Sequence, residues 1–298
     1  MATQIILDTD IGTDVDDCLA LALILSSPEL SLQGVTCVYG DVSLRAAMVR
    51  KLLRLRGLDG VPILRGARSP LHGVQPVSWA GHEGAGLLDE GDLDPVPPAL
   101  HAAQWLVEEV RRRPHQLHLV AVGPLTNVAL AFLIAPELPG LLTGLTLMGG
   151  RATPLGEPQR EHNLLCDPEA ARIVLGSGAP IHMIPLDVTT RVRVGTDAPD
   201  RIASGGDDFH RAVGEQLRRY PPFADRGWTH LHDPLAVAAV IRPDLVSGRR
   251  LRIEVEPASG STTSCESWAR RDPEVALEVD AEAFERFFLD RVSAPAGG

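Results

Sequence analysis

Apolar positions in this chain come in short unbroken runs, each closed by turn residues and followed by a stretch with helical spacing. Gln4 to Leu7, Leu32 to Val38, Leu117 to Val122, Leu145 to Met148 and Ile181 to Ile184 read as strands. Asp17 to Ser26, Leu44 to Leu55, Ala99 to Arg113, Thr126 to Ala135 and Pro168 to Leu175 read as helices. Strand and helix in alternation predict βαβ units and a parallel sheet. Runs that are apolar throughout, rather than alternating, predict a sheet covered on both faces. The expected architecture is an α/β fold with an open, mostly parallel sheet flanked by helices, and ligands held at the C-terminal edge of its strands.

The polar clusters fall at that edge. Asp8 to Asp17 follows the first strand, Tyr39-Gly40-Asp41 the second, Gly123 to Asn127 the third and Gly149-Gly150 the fourth. Longer irregular segments at Gly66 to Glu90, Arg151 to His162 and Thr196 to Trp228 have the length of lids. The first cluster is the most informative, because Asp8, Asp10, Asp14, Asp16 and Asp17 put five carboxylates into ten residues directly after an apolar run. A helix cap needs one or two acidic groups. Five repel one another, and burial raises that cost. A hard divalent cation removes it, and carboxylates without neighbouring Cys or His favour calcium or magnesium over zinc.

Composition narrows the function without choosing it. Hydrophobic residues make up 44% and charged residues 22% of 298, enough for a sizeable core. One domain over residues 1–292 with a flexible tail at 293–298 is expected. The net charge of −11 with no basic stripe argues against nucleic acid or an anionic membrane as partner. The longest apolar stretch, Cys18 to Leu25, is far below the roughly 18 residues of a membrane span. The first residues carry no basic, signal-like segment, which predicts a cytoplasmic protein. Cys18, Cys37, Cys166 and Cys265 lack metal-type spacing and read as buried reduced thiols.

Taken together, Asp8 to Leu21, Gly123 to Asn127, Glu161 to Ala171, Leu186 to Thr189 and His232-Asp233-Pro234 resemble, in order and over nearly the whole chain, the nucleoside hydrolases of the inosine-uridine-preferring type. The resemblance implies a Rossmann-like sheet with one calcium ion at its C-terminal edge and hydrolysis of the N-glycosidic bond of ribonucleosides to free base and ribose. It implies that Asp10 both ligates calcium and takes a proton from the attacking water, and that Asp17 and Asp233 are further ligands. Thr126 is implied as a backbone-carbonyl ligand. Asp16, Glu161 and Asn163 are implied to hold ribose hydroxyls, and His232 to protonate the leaving base. A homodimer or homotetramer is also implied.

The chain departs from the family pattern in several places. Ile11 stands where Pro is common, and two extra residues precede the Asp16-Asp17 pair. Asp14 and Asp16 therefore compete for the ribose-contacting role, with Asp16 preferred because Asp16 to Leu21 restores the register into the helix. Asp41 stands where Asn is common and is a candidate ligand or water contact. His162 replaces a frequent Phe, and the stretch Arg151 to Arg160 lacks the usual Asn for the ribose 5′-hydroxyl. His82, in a Gly-rich turn, is a candidate for the base pocket, as is His230. Tyr220, Phe223 and Trp228 are candidates for stacking on a base. Asp187 reads as a tie for nearby loops, and Asp167-Pro168 as a helix start.

Two other functions fit parts of the pattern. Asp8-Thr9-Asp10-Ile11-Gly12 mimics the nucleophile loop of haloacid-dehalogenase-like phosphohydrolases, but position five is not Thr or Val and the one Lys, Lys51, falls in an early helix. A calcium-dependent riboside-binding protein without turnover needs the same site, yet Asp10 and His232 both remain.

Overall fold

Ile5, Ile6 and Leu7 follow one another and all are buried, because the strand they build is covered from both sides. Ile5 and Leu7 enter one apolar core and Ile6 another, as the two-residue repeat of a strand requires. The computed structural model describes residues 2–72, 77–93, 100–152 and 160–295. The chain begins with β1 (Thr3–Thr9), α1 (Asp16–Leu25), β2 (Leu30–Cys37), α2 (Val42–Leu55) and β3 (Ile63–Arg65). It continues through α3 (Ala102–Arg112), β4 (Leu117–Ala121), α4 (Thr126–Ile134), α5 (Leu138–Leu141) and β5 (Gly144–Met148). Next come α6 (His162–Cys166), α7 (Pro168–Leu175), β6 (Ile181–Ile184), α8 (Leu186–Thr189), β7 (Arg193–Val194) and α9 (Ala198–Ala203). After them follow α10 (Asp208–Arg219), α11 (Pro221–Arg226), β8 (Thr229–His230) and α12 (His232–Ile241). The last elements are β9 (Val246–Val255), β10 (Thr262–Glu266), β11 (Glu274–Val279) and α13 (Ala281–Val292).

Among the described residues, nine strands form one sheet in the order β10-β9-β11-β6-β5-β4-β1-β2-β3. Every pairing from β11 to β3 is parallel. Strands β9 and β10 extend that sheet antiparallel. Chain order reverses between β1 and β4, so the loops leaving these two strands diverge and open a crevice at the C-terminal edge.

Helices α1, α2, α10, α12 and α13 cover one face of the sheet, and α3, α4 and α7 the other. Cys18 to Ile24 of α1 and Pro234 to Ala239 of α12 are buried on every side, so these helices are apolar all round. Both begin with acid: Asp16 and Asp17 lie in the first turn of α1, and Asp233 in that of α12. The fold thus brings the two acidic helix starts to one place.

One polar contact links the two halves of the crevice. Asp8 points into the α4 face, where its Oδ1 accepts from Asn127 Nδ2 at 2.8 Å and from the Thr36 hydroxyl. Asn127 Oδ1 accepts from Ala67 N at 2.8 Å, fixing the chain after β3. Asp8 is wholly buried with Oδ2 unpartnered among the described residues, and burial pushes its pKa up to about 7.

Strand β6 and helix α7 have the expected bounds, while other ends shift by a few residues. Helix α2 starts earlier, at Val42, because Asp41 caps it. Helix α3 starts at Ala102, capped by His101, and Ala99 lies outside the described residues. The tail is held where it is described, since Ala294 O pairs with His210 Nε2 at 3.0 Å; residues 296–298 lie outside the described set. Cys18, Cys37 and Cys166 are buried thiols, but Cys265 is exposed on β10. Among the described residues no helix is long and apolar enough to cross a membrane.

A Cβ added at Gly66 would meet Asn127 Oδ1 at 2.0 Å. Gly66→Ala is expected to displace Asn127 from Asp8 and to cost about 1–3 kcal/mol by overpacking. Urea denaturation checks this, and an unchanged midpoint would mean that the Asn127 bridge is not a constraint on the fold.

Candidate active site

A cavity of about 410 Å³ opens at the switch point between β1 and β4, within the usual range for small-molecule sites. Its walls include Asp10, Asp14, Asp16 and Asp17 after β1, and Val122 after β4. Glu161, His162 and Asn163 at the start of α6 also line it, as do Tyr220, His232 and Asp233. The structure therefore brings together eight of the eleven residues expected from sequence: Asp10, Asp14, Asp16, Asp17, Glu161, Asn163, His232 and Asp233.

At the bottom of the cavity, oxygens of Asp16, Asp17 and Asp233 lie within 4.8 Å of one another, and all three residues are buried. Burial first, and then neighbouring carboxylates, hold their pKa values well above the usual range. Asp10 is raised by burial as well, with Arg45 and His162 opposing the rise. Asp17 also accepts from the Thr9 hydroxyl, whose oxygen in turn accepts from Ile11 N at 3.1 Å. Three buried, mutually repelling carboxylates with converging oxygens fit a hard divalent cation.

The longer loop between β1 and α1 is braced by a buried arginine. Arg45 is fully buried on α2 and donates Nε to Tyr39 O at 2.6 Å and Nη1 to Ile11 O at 2.7 Å. Its Nη2 reaches Thr13 Oγ1 at 3.1 Å. Tyr39 (φ 64°) and Gly40 (φ 77°) lie consecutively in the left-handed region, and the Tyr39 carbonyl reaches the guanidinium. Glu83 accepts from Thr13 Oγ1 at 3.2 Å, and His82 Nε2 pairs with Thr13 O at 3.0 Å.

Asp14 caps locally, its Oδ1 accepting from Val15 N at 2.6 Å while its Oδ2 accepts from Tyr220 OH at 2.8 Å. Asp16 faces the acidic cluster and accepts from Asp233 N at 3.3 Å. Glu161 caps α6, accepting from Asn163 N at 2.8 Å, Leu164 N at 3.1 Å and Gly150 N at 2.8 Å. Asn163 Nδ2 donates to Val122 O at 2.7 Å and Met148 O at 3.2 Å, leaving its side-chain oxygen for a ligand. His232 Nδ1 pairs with Thr189 Oγ1 at 2.7 Å, and burial pushes its pKa down to about 3, so the ring is neutral at neutral pH.

Three expected residues do not reach this cavity. Thr126 is the first residue of α4 and its hydroxyl donates to Asp167 Oδ2 at 2.7 Å; the β4 loop offers Val122 to the cavity instead. Asp41 caps α2 by accepting from Ser43 N at 3.0 Å and Leu44 N at 3.2 Å. His82 lines a smaller neighbouring cavity shared with Asp14 and Tyr220. Of the aromatic candidates Tyr220 reaches the main cavity, whereas Phe223 is in the core and Trp228 stacks under Arg226, 3.9 Å from its ring centre. His230 lies between Trp228 and His232, with ring centres 5.0 Å from each. Asp187 ties Ala152 N at 2.8 Å, and Lys51 pairs with Asp92 at 2.7 Å on α2.

Sequence reasoning missed Arg45, Thr9, Val122, Thr189 and Ser78. Arg45 carried a signal: with Val42, Val49 and Leu52 it falls on the apolar stripe of α2, where a cation needs partners. The loops at 73–76 and 153–159, parts of two expected lids, lie outside the described residues.

The family model described as inosine-uridine preferring nucleoside hydrolase matches residues 5–286. Pyrimidine-specific ribonucleoside hydrolase RihA of Enterobacter sp. (strain 638) is 36% identical over 82% of this chain and 81% of its own. Uridine nucleosidase 1 of Arabidopsis thaliana is 32% identical over 85% of this chain and 78% of its own. Among solved structures, a purine-preferring ribonucleoside hydrolase from Gardnerella vaginalis superposes with a TM-score of 0.84, at 28% identity over 98% of each chain.

The raised carboxylates set a pH dependence for the metal-free protein. A folded pKa above the unfolded value means the folded state holds more protons, so this stability is present near pH 4 and lost as pH rises through the folded pKa values. For Asp8 that loss centres on about 7. In a chelator the melting temperature is therefore expected to fall between pH 5 and 8, and millimolar calcium to reverse the fall. A chelated protein whose melting temperature rises across this window would refute the assignment.

Proposed function

The chain belongs to the inosine-uridine preferring nucleoside hydrolases and is an enzyme that hydrolyses ribonucleosides, and on that premise we propose how its own residues perform the reaction and with which cation. The carrying observation is the convergence of the Asp10, Asp16, Asp17 and Asp233 carboxylates, the Glu161–Asn163 wall and His232 around one cavity.

Asp17 and Asp233 of the converging trio, with Asp10 on the same cavity wall, would hold a calcium ion while Asp16 faces the sugar, and Val122 rather than Thr126 would provide the carbonyl, since Val122 lines the cavity and its oxygen retains a lone pair beside the Asn163 bond. Oxygen donors alone, and more of them than magnesium usually takes from protein, favour calcium. When bound, the ion supplies charge compensation for the carboxylates, acidifies water and orients a sugar diol.

Asp10, on the cavity wall, accepts the proton of the attacking water. Asp16 and Asn163 bind the ribose hydroxyls, and Glu161, with both oxygens already accepting backbone N–H bonds, adds an acceptor while fixing the start of α6. As the glycosidic bond breaks toward an oxocarbenium-like state, electrons move onto the base nitrogen. His232 is neutral, and in the tautomer whose Nδ1 accepts from the Thr189 hydroxyl its Nε2–H is the group directed at the leaving base. That N–H stabilises the departing base by a hydrogen bond, and the proton that completes the free base is the one water gives up to Asp10, exchanged through solvent.

Relatives named for pyrimidines and uridine support uridine as the first substrate to test. The family resemblance supports a homodimer or homotetramer, and four free thiols support a cytoplasmic setting.

A reducing-sugar assay on uridine, cytidine, inosine, adenosine and guanosine tests the reading. Ribose release is expected to stop in chelator and to fall about 10²- to 10⁴-fold in Asp10→Asn. His232→Ala is expected to lose about 10²-fold or more on nucleosides but far less on p-nitrophenyl riboside, whose leaving group needs no proton. Equal losses on both substrates would remove His232 from leaving-group activation.

A further inference from the structure

His162 is a polar ring at the cavity wall that the reaction above does not use. It opens α6 between Glu161 and Asn163 and faces the cavity. Among the described residues its one hydrogen-bonding partner is Cys166 one turn on, with Sγ 3.5 Å from Nε2 and 3.9 Å from Nδ1. Its ring stands edge-on to Tyr39 at 6.2 Å, and Tyr39 OH accepts from the backbone of Ser78, which also lines the cavity. The Cys166 bond and the Asp10 and Glu161 carboxylates push its pKa up to about 9 against the effect of burial. An imidazole presents two ring nitrogens, and one sulfur in this position engages only one of them. The other is left for whatever occupies the cavity.

The sheet order says which part of a ribose that is. His162 packs beside Tyr39, at the end of β2, whereas His232 is held by Thr189, beyond β6; β2 and β6 lie on opposite sides of the crevice. In a ribofuranoside C1′ and C4′ flank the ring oxygen, on opposite sides of the 2′,3′-diol. With the diol at the acidic cluster and C1′ toward His232, C4′ and its hydroxymethyl group must point to the β2 wall.

We propose that His162 donates a hydrogen bond to the ribose 5′-oxygen and so makes this enzyme selective for nucleosides that carry a 5′-hydroxyl. The proposal rests on the nucleoside reading of the site. It also accounts for the missing upstream Asn between Arg151 and Arg160: the donor to the 5′ end comes from α6 instead.

The test is a two-by-two comparison of wild type and His162→Phe on uridine or inosine, whichever wild type cleaves faster, and on its 5′-deoxy analogue. Wild type is expected to favour the 5′-hydroxylated substrate in kcat/KM by about 10- to 100-fold, the discrimination of a charged hydrogen bond. In His162→Phe that ratio is expected to fall to within about threefold of unity. His162→Gln, which restores an N–H donor, is expected to recover part of the ratio and serves if the Phe variant does not fold. A ratio unchanged by either substitution would overturn the proposal, since a purely structural or field effect of His162 lowers both rates alike. No ribose from either parent nucleoside with wild type would instead defeat the nucleoside reading itself.

Discussion

The structure is organised around a repulsion. Asp10, Asp16, Asp17 and Asp233 are all buried within one small region, and burial together with neighbouring carboxylates raises the pKa of each. No fold would gather them for stability alone, because each desolvated carboxylate costs free energy unless a counter-charge is present. The two most apolar helices, α1 and α12, nevertheless deliver them side by side, with their helix N-termini favouring negative charge. Everything around the cluster limits that cost or uses it. Arg45 and the Thr9 hydroxyl compensate from within the protein, and the converging oxygens that remain fit a divalent cation.

The remaining walls follow from the topology. Chain reversal between β1 and β4 opens the crevice, and α6 inserts across it with Glu161 and Asn163 tied to the backbone at Gly150, Val122 and Met148. These are bonds to strand ends and to the first residues beyond them, so the sugar-facing groups inherit the rigidity of the sheet. The opposite wall is built from β6 onward, where Thr189 fixes the ring of His232. Tyr220 closes the rim by its bond to Asp14.

Much of this was legible in the sequence, for identifiable reasons. Parallel strands buried on both faces leave unbroken apolar runs, so β1, β2, β4, β5 and β6 were visible, and the Asp167-Pro168 start made α7 visible to the residue. The antiparallel β9 and β10 were not, because β9 is mostly exposed along its length and its pattern resembles loop. The acidic cluster was legible because five carboxylates in one loop have few explanations. Thr126 lies at a helix start with its hydroxyl on Asp167, while Val122, which lines the cavity, carries no side-chain signal that a sequence pattern could reveal. Asp41 caps α2, and a helix cap and a ligand are the same residue type after the same Gly.

Arg45 has an implication for how such a loop could have arisen. Its guanidinium is fully buried and spends its donors on Tyr39 O, Ile11 O and Thr13 Oγ1, two of which belong to the segment lengthened by two residues. Shortening that segment alone would strand a desolvated cation, and replacing the arginine alone would release a loop that carries Asp10 and Asp14 and leads directly into Asp16 and Asp17. Each single step is harmful in the background of the other, a case of reciprocal sign epistasis. The insertion and the arginine form one heritable unit, and a loop of the common length can be transplanted into this scaffold only together with a new residue at position 45.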